Sequence, residues 1–256
     1  MRLLVTGAAG MLGRDVVAAA EAGGHDVVAL ARGDLDITNA SAVRTAVGSA
    51  RPDAVINCAA WTDVDGAETS EEMAHAVNGA GAGAVAAAAA AAGAHTVHVS
   101  SDYVFDGTAR EPYSEDARTG PATAYGRSKL AGERAVAEAS PRTAIVRSSW
   151  LFGVHGPNFV ATMLSLASER DEVSVVDDQV GCPTFTGHLA GALIEIARRG
   201  GGTPRSSRAA RGSRRRSARR WCARARTRSR SPPRRRAARP SSAAARSRSA
   251  PRQGGR

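Results

Sequence analysis

The sequence predicts an α/β fold, a doubly wound parallel sheet, and three observations predict it. Short apolar runs alternate with helix-patterned stretches from the first residues to about residue 200, the pattern of a parallel sheet whose strands are buried on both faces. The first apolar run, Leu3-Leu4-Val5, ends on a glycine-rich turn and then a helical pattern. The fourth ends on Ser101-Asp102 and is followed by a helix carrying Tyr125 and Lys129 one turn apart.

The first turn, Thr6-Gly7-Ala8-Ala9-Gly10-Met11-Leu12-Gly13, has the context that makes a glycine motif a nucleotide site: strand, turn, helix. Gly7 permits the tight turn, Gly10 lets backbone approach a diphosphate, and Gly13 lets the helix pack against the strand. Free N–H groups of the helix start, from Met11 and Leu12, would face the phosphates. This is a Rossmann-type unit. Asp26–Leu30 reads as the second strand, and its end should face the adenosine ribose. Ala31-Arg32 stands where an acid would bind a 2′-hydroxyl, and an arginine there suits a 2′-phosphate. NADPH is therefore expected, with NADH as the alternative. Asp36 and Ile37 follow at the adenine end, while Asp34 reads as a loop acid.

Residues 52–57 read as a third strand leading into Ala59, Ala60, Trp61 and Thr62, small or polar residues that would line the cofactor, or in the case of Trp61 pack the loop. Asp63, Asp65 and Glu68 read as a solvated acidic loop. Residues 70–92 are helical by composition; their alanine run reads as coding bias without chemistry, and Asn78 is its one polar residue of interest. Thr96–Ser100 is the fourth strand, with His95 and His98 read as strand and surface residues rather than metal ligands. Pro121 and Thr123 mark a helix start, and a helix over 125–139 puts Tyr125 and Lys129 on one face. Residues 143–147 and 173–176 read as the fifth and sixth strands, and 158–170 and 187–198 as helices.

Three widely spaced cysteines, Cys58, Cys182 and Cys222, form no ligand pair or disulfide framework and read as inert packed thiols. No stretch approaches a membrane span. A cytoplasmic protein without membrane partners is the expectation. Charge is unevenly spread. Residues 1–200 hold 24 acidic and 15 basic residues, a net of −9, while residues 201–256 hold 20 Arg and no acid, a net of +20. Two regions follow: 1–200, a dinucleotide-binding reductase region with substrate-contacting parts from about 150 on, and 201–256, an Arg-rich tail expected to be disordered. The tail reads as the product of a shifted frame in GC-rich DNA. A phosphate-binding arm is the competing account, but with Trp221 its one aromatic, nucleic acid is not expected as a partner.

Three motifs carry a resemblance: Ser-Ser-Asp-Tyr-Val-Phe-Asp-Gly at 100–107, Tyr-Gly-Arg-Ser-Lys-Leu-Ala-Gly-Glu at 125–133 and Arg-Ser-Ser-Trp at 147–150, extended by Asn158-Phe159 and by 178–184. On these the chain resembles the extended short-chain dehydrogenase/reductases, and within them the dTDP-4-dehydrorhamnose reductase family, over roughly residues 1–200. The resemblance implies reduction of the C4 ketone of dTDP-4-dehydro-L-rhamnose by NADPH, in the making of dTDP-rhamnose. Tyr125 would donate the proton, Lys129 would stabilise its phenolate and hold the nicotinamide ribose, and Ser101 would align the sugar oxygen. Asp102 and Trp150 would contact the sugar nucleotide. It also implies a homodimer and Mg²⁺, and no residue of the sequence is assigned as a metal ligand. It implies as well a substrate-binding region truncated after residue 200. Two alternatives stay open: a sugar-nucleotide epimerase or dehydratase of the same fold, against which Tyr103 after Asp102 counts, and a non-catalytic dinucleotide-binding regulatory subunit.

Overall fold

A computed structural model describes residues 1–176 and 178–200. Five parallel strands build one sheet: β1 (Arg2–Thr6), β2 (Asp26–Leu30), β3 (Ala54–Asn57), β4 (His95–Ser101) and β5 (Thr143–Ser148), in the order β2-β1-β3-β4-β5. The chain winds one way to β2 and the other way from β3 on, so the order reverses between β1 and β3. In open parallel sheets the crevice outside the carboxyl ends at that reversal is where ligands sit. The expectations for 201–256, including Trp221 and Cys222, fall outside the described residues.

Alternation along β1 decides which helices cover which face. Leu3 and Val5, with Ile56 and Val97, pack on Leu12 and Val16 of α1 (Met11–Ala22) and on Leu189 and Leu193 of α8 (Thr186–Gly200). Leu4 and Val55 turn the other way, onto Val43 and Val47 of α2 (Ala40–Ala50) and Val85 of α5 (Ala82–Ala91). Eleven of these side chains have no exposed surface, and burying each is worth about 1.5–3 kcal/mol before chain entropy is charged.

The stretch 70–92 is helical as expected, but it is not uniform. α4 (Glu71–His75) passes into a π-helical turn, Ala76–Gly81, before α5. A π turn inserts one residue into the ladder and is common at functional sites. Here it aims Asn78 inward, 1 % exposed. The alanine run also has a packing role, against the expectation of mere coding bias. Ala82 and Ala86 meet Val136 of α6 (Ala124–Ala139), and a methyl on Gly83 would lie 2.9 Å from the Ala135 Cβ. Small residues let α5 and α6 approach closely.

Three expectations need correction. Residues 173–176 form no strand; Val175 and Val176 stay exposed, and the strand pairing after β5 is instead β6 (Leu151–Phe152) with β7 (Thr184–Phe185). β-branched residues need a partner surface, and no neighbouring strand is offered to this run. His95 and His98 are in β4 but are buried, at 7 % and 0 % exposed, so neither is a surface residue. Asp63 and Glu68 do more than face solvent. Asp63 caps α3 (Val64–Thr69) by accepting the Gly66 N–H, and Glu68 accepts the Ala124 N–H at the start of α6 (2.8 Å). Among the described residues the large sheet ends on β5, whose residues are all half-buried.

Gly132 marks the tightest approach of α6 to the π turn, since a methyl there would strike the Asn78 carbonyl oxygen. Gly132→Ala is expected to cost roughly 1–3 kcal/mol and to lower the midpoint of thermal unfolding by circular dichroism. Gly191→Ala on α8, where nothing lies near the missing side chain, should leave the midpoint unchanged or raise it.

Candidate active site

The glycine loop is built for close approach. Gly7 adopts φ +67°, and a Cβ there would lie 2.6 Å from the Ala59 backbone nitrogen, so the loops leaving β1 and β3 touch. A Cβ on Gly13 would strike the Gly7 carbonyl oxygen. Gly10 caps α1 without a side chain, and the first turn of α1 holds no acid. The N–H groups at the helix start therefore face an open cradle, and these residues fit a dinucleotide diphosphate. Ala8 N–H bonds the Leu30 carbonyl (3.1 Å), tying the loop to the end of β2. Arg32 is exposed just beyond that end. Asp36 is held by the Thr38 N–H and hydroxyl (2.9 and 2.8 Å), which with Arg32 keep its carboxyl below the usual range. Ile37 is core, 4 % exposed, so only its backbone borders the loop. Asp34 accepts the Ala31 N–H (2.9 Å), a loop-closing acid as expected.

After β3, the segment Ala59-Ala60-Trp61-Thr62 is set by two asparagines. Asn57, 1 % exposed, takes the Thr6 hydroxyl (2.6 Å) and the Ala59 N–H (3.2 Å) on its carbonyl oxygen. Its amide therefore faces His98 Nδ1 (3.1 Å), which must act as acceptor and leaves the proton on Nε2. Burial pushes His98 down to about 3, so the ring is neutral. Asn78 accepts the Trp61 N–H (2.9 Å) and donates to the Trp61 carbonyl (3.1 Å) and the Ser128 hydroxyl (2.9 Å). The Trp61 ring packs with Tyr125 on Ala67, Ala74 and Ala124, so the indole secures the loop.

The carboxyl end of β4 delivers Ser101 and Asp102. Ser101 is 8 % exposed and donates to Asp102 (3.1 Å), whose carboxyl burial raises. Tyr125 enters from the first turn of α6. That turn is fixed by its Thr123 cap (3.0 Å to the Gly126 N–H), by Glu68, and by the paired Arg127–Glu71 contact at 2.7 and 2.9 Å. The Tyr125 ring meets Tyr103 edge-on, with centroids 5.4 Å apart. One turn on, Lys129, the only lysine of the chain, is 2 % exposed and donates to the Val99 carbonyl (2.8 Å). Ser101 pairs with Ser148 across the sheet, which puts Trp150 just past the same edge. Trp150 takes φ +47°, a costly backbone for a bulky residue, and Gly181 packs on its indole.

Burial dominates the electrostatics. It pushes the Tyr125 phenol up to about 12, partly offset by a hydrogen bond with Ser101, and pulls Lys129 down to about 8 against the attraction of Glu133. Lys129 is not among the groups acting on the phenol, so in this arrangement the expected lowering of Tyr125 by Lys129 is absent. Cys58 is pushed up to about 12 and is an inert thiol. Glu133, 5 % exposed, makes a double contact with Arg147 (2.8 and 2.6 Å), and Arg147 in turn lies 4.9 Å over the Phe105 ring. The sequence reading gave Glu133 and Arg147 no role, although Lys129 and Glu133 stand four apart on one helix face. Among the described residues no three His, Cys, Asp or Glu gather to hold a metal ion, and no helix is long and apolar enough to cross a membrane.

Known proteins share this fold. The model of the family described as the RmlD substrate binding domain matches residues 1–252. A dTDP-4-dehydrorhamnose reductase from Streptomyces griseus is 52 % identical over 196 residues, 76 % of this chain and 64 % of that protein. A dTDP-4-keto-6-deoxy-D-glucose reductase from Streptomyces niveus is 49 % identical over 200 residues, 78 % of this chain and 69 % of its own length. The solved structure of a Bacillus anthracis dTDP-4-dehydrorhamnose reductase in complex with NADP superposes with a TM-score of 0.76 at 41 % identity, covering 78 % of this chain and 71 % of that one. The chain thus spans about two thirds of the length of the relatives it matches, and it belongs to the RmlD substrate binding domain family.

Proposed function

We propose that the chain carries the reducing site for the C4 ketone of a dTDP-4-keto-6-deoxy sugar, with dTDP-4-dehydro-L-rhamnose as substrate and NADPH as reductant, acting in the cytoplasm. One observation carries the reading: Ser101, Tyr125 and Lys129 converge at the carboxyl edge of the sheet, beside a glycine loop shaped for a diphosphate. The two Streptomyces relatives are reductases of sugars in this class, and the Bacillus relative was solved with NADP.

The loop residues Gly7, Gly10, Met11, Leu12 and Gly13 would hold the diphosphate, Arg32 the 2′-phosphate, and Ala59, Ala60 and Thr62 the face toward β3. The nicotinamide, when bound, supplies the hydride. Tyr125 gives its phenolic proton to the sugar oxygen as charge develops there; with its pKa raised by burial, the proton is in place throughout the neutral range. Ser101 donates a hydrogen bond to the same oxygen once it releases Asp102, and so aims it at Tyr125. Lys129, one turn behind the phenol, would hold the nicotinamide ribose, and to offset the phenolate left after transfer its ammonium would have to turn from the Val99 carbonyl toward Tyr125. Asp102 and Trp150 would border the sugar.

Oxidation of NADPH with dTDP-4-dehydro-L-rhamnose tests the proposal. Tyr125→Phe should lower the rate by about 10²–10⁴-fold with little change in NADPH affinity; equal rates would remove Tyr125 as proton donor. NADPH binding without turnover of the native chain would favour a regulatory subunit. Arg32→Ala is expected to weaken NADPH roughly tenfold while sparing NADH, and equal losses would remove Arg32 from the 2′-phosphate.

Buried Lys129 also makes a pH prediction. Folded, it loses its proton near pH 8; unfolded, it keeps it to about 10.4. Between these values the unfolded chain binds more protons, so stability rises with pH. Relative to Lys129→Met, the native chain should gain up to about 3 kcal/mol between about pH 7 and pH 10.5, read from urea midpoints. A constant difference would mean that the lysine is not desolvated.

A further inference from the structure

The loop between β6 and α7 (Phe159–Glu169) contributes no residue to the site above, yet it lies along the first turns of α1. It is a closed, ordered turn. The Asn158 amide donates to the carbonyls of Gly153 (2.9 Å) and Gly156 (3.3 Å), while its oxygen accepts the Ala161 N–H (3.0 Å) and caps α7. Gly156 takes φ +72°, and a Cβ on it would lie 3.8 Å from the Met11 Cβ. A Cβ on Gly153 would strike the Thr186 hydroxyl and lie 3.6 Å from Asp15 Oδ2. The loop therefore passes beside the helix start that forms the diphosphate cradle.

His155 is the titratable side chain of this loop. Its Nε2 lies 3.6 Å from Asp15 Oδ1, and its side chain is 38 % exposed. Asp15 is only 14 % exposed, and its other oxygen is buried without a hydrogen-bond partner among the described residues. A carboxylate in the second turn of α1, so close to the phosphate cradle, would repel a dinucleotide diphosphate. Arg14, the other charged group here, is exposed and turns its Nε back to the Ala9 carbonyl (3.0 Å). We propose that His155 is a further cofactor-binding residue: when a diphosphate binds beside Asp15, the ring takes up a proton between the two anions, turns one N–H to Asp15 and the other to a diphosphate oxygen, and so screens the carboxylate from the phosphates. The proposal rests on the dinucleotide reading of the glycine loop.

The test is NADPH titration of the full chain, followed by nicotinamide fluorescence, for the native protein, His155→Ala and His155→Arg. His155→Ala should raise the dissociation constant roughly tenfold, with circular dichroism unchanged, and His155→Arg should restore most of the affinity because it returns a cation. Unchanged affinity in His155→Ala overturns the proposal. So does a loss that arginine fails to repair, since that marks His155 as packing alone. If the native chain binds no dinucleotide, the reading of the glycine loop fails first and this inference falls with it.

Discussion

The Asn78 amide holds the site together. Its oxygen and nitrogen take both backbone groups of Trp61 and the hydroxyl of Ser128, so one buried side chain spaces the loop after β3 from the middle of α6. The first of these elements borders the proposed cofactor, and the second carries Tyr125 and Lys129. A buried amide left without partners costs about 1–3 kcal/mol per group, so the three contacts stand or fall together. The π turn is what makes them reachable. An unbroken α-helix from Glu71 to Ala91 would rotate position 78 away from Trp61, and the extra residue restores the aim. Gly132 completes the arrangement, because only a residue without a side chain lets α6 pass the Asn78 carbonyl.

Around that clamp, charge is buried in pairs or neutralised. Glu133 and Arg147 form a two-bonded contact between α6 and β5, and the arginine rests on Phe105. Such a pair contributes little net stability, since desolvation consumes most of the attraction, but breaking it would strand a carboxylate that is 5 % exposed. Its better-supported role is orientation. It fixes α6 against the sheet one turn beyond Lys129, and its negative end partly offsets the desolvation that pulls Lys129 down. His98, by contrast, is kept neutral, and the Thr6–Asn57–His98 chain of hydrogen bonds links the ends of β1, β3 and β4 without adding charge.

Much of this was legible in the sequence, because the signals were local. Leu3–Val5 ending on Gly7, Ala54–Asn57 after a proline, and Thr123 before a helix each combine a pattern with a stop or cap that physics requires. The five strands of the sheet and the helix that carries Tyr125 and Lys129 follow from such signals. What was not legible depends on partners distant in the chain. Glu68 reads as a loop acid until Ala124, 56 residues away, offers it an N–H. His98 reads as exposed until α6 covers its face of the sheet. Val173–Val176 has the composition of a strand, and the structure leaves it unpaired. The π turn is hidden in an alanine run whose residues suit any helical pitch.

The two halves of the site differ in how firmly they are held. From β1 to β5 the cofactor-facing elements rest on fully buried side chains on both faces of the sheet. Between Ser148 and α8 the support thins. α7 has apolar residues but none is buried, and Phe159 and Leu164 are more than half exposed. Val180 is almost wholly exposed beside the Gly181–Trp150 contact. Local stability follows buried apolar contact, so this half opens at lower cost than the sheet. Trp150 stands at the border between them. Its backbone is in a left-handed conformation that only firm surroundings maintain, and those surroundings are two bonds, Thr184 N–H to its own carbonyl and Ser149 to the Cys182 carbonyl. On the proposed function, dinucleotide binding at the glycine loop would depend on the rigid half, whereas placing a sugar against Tyr125 would depend on the strained tryptophan and the thinly covered segment behind it.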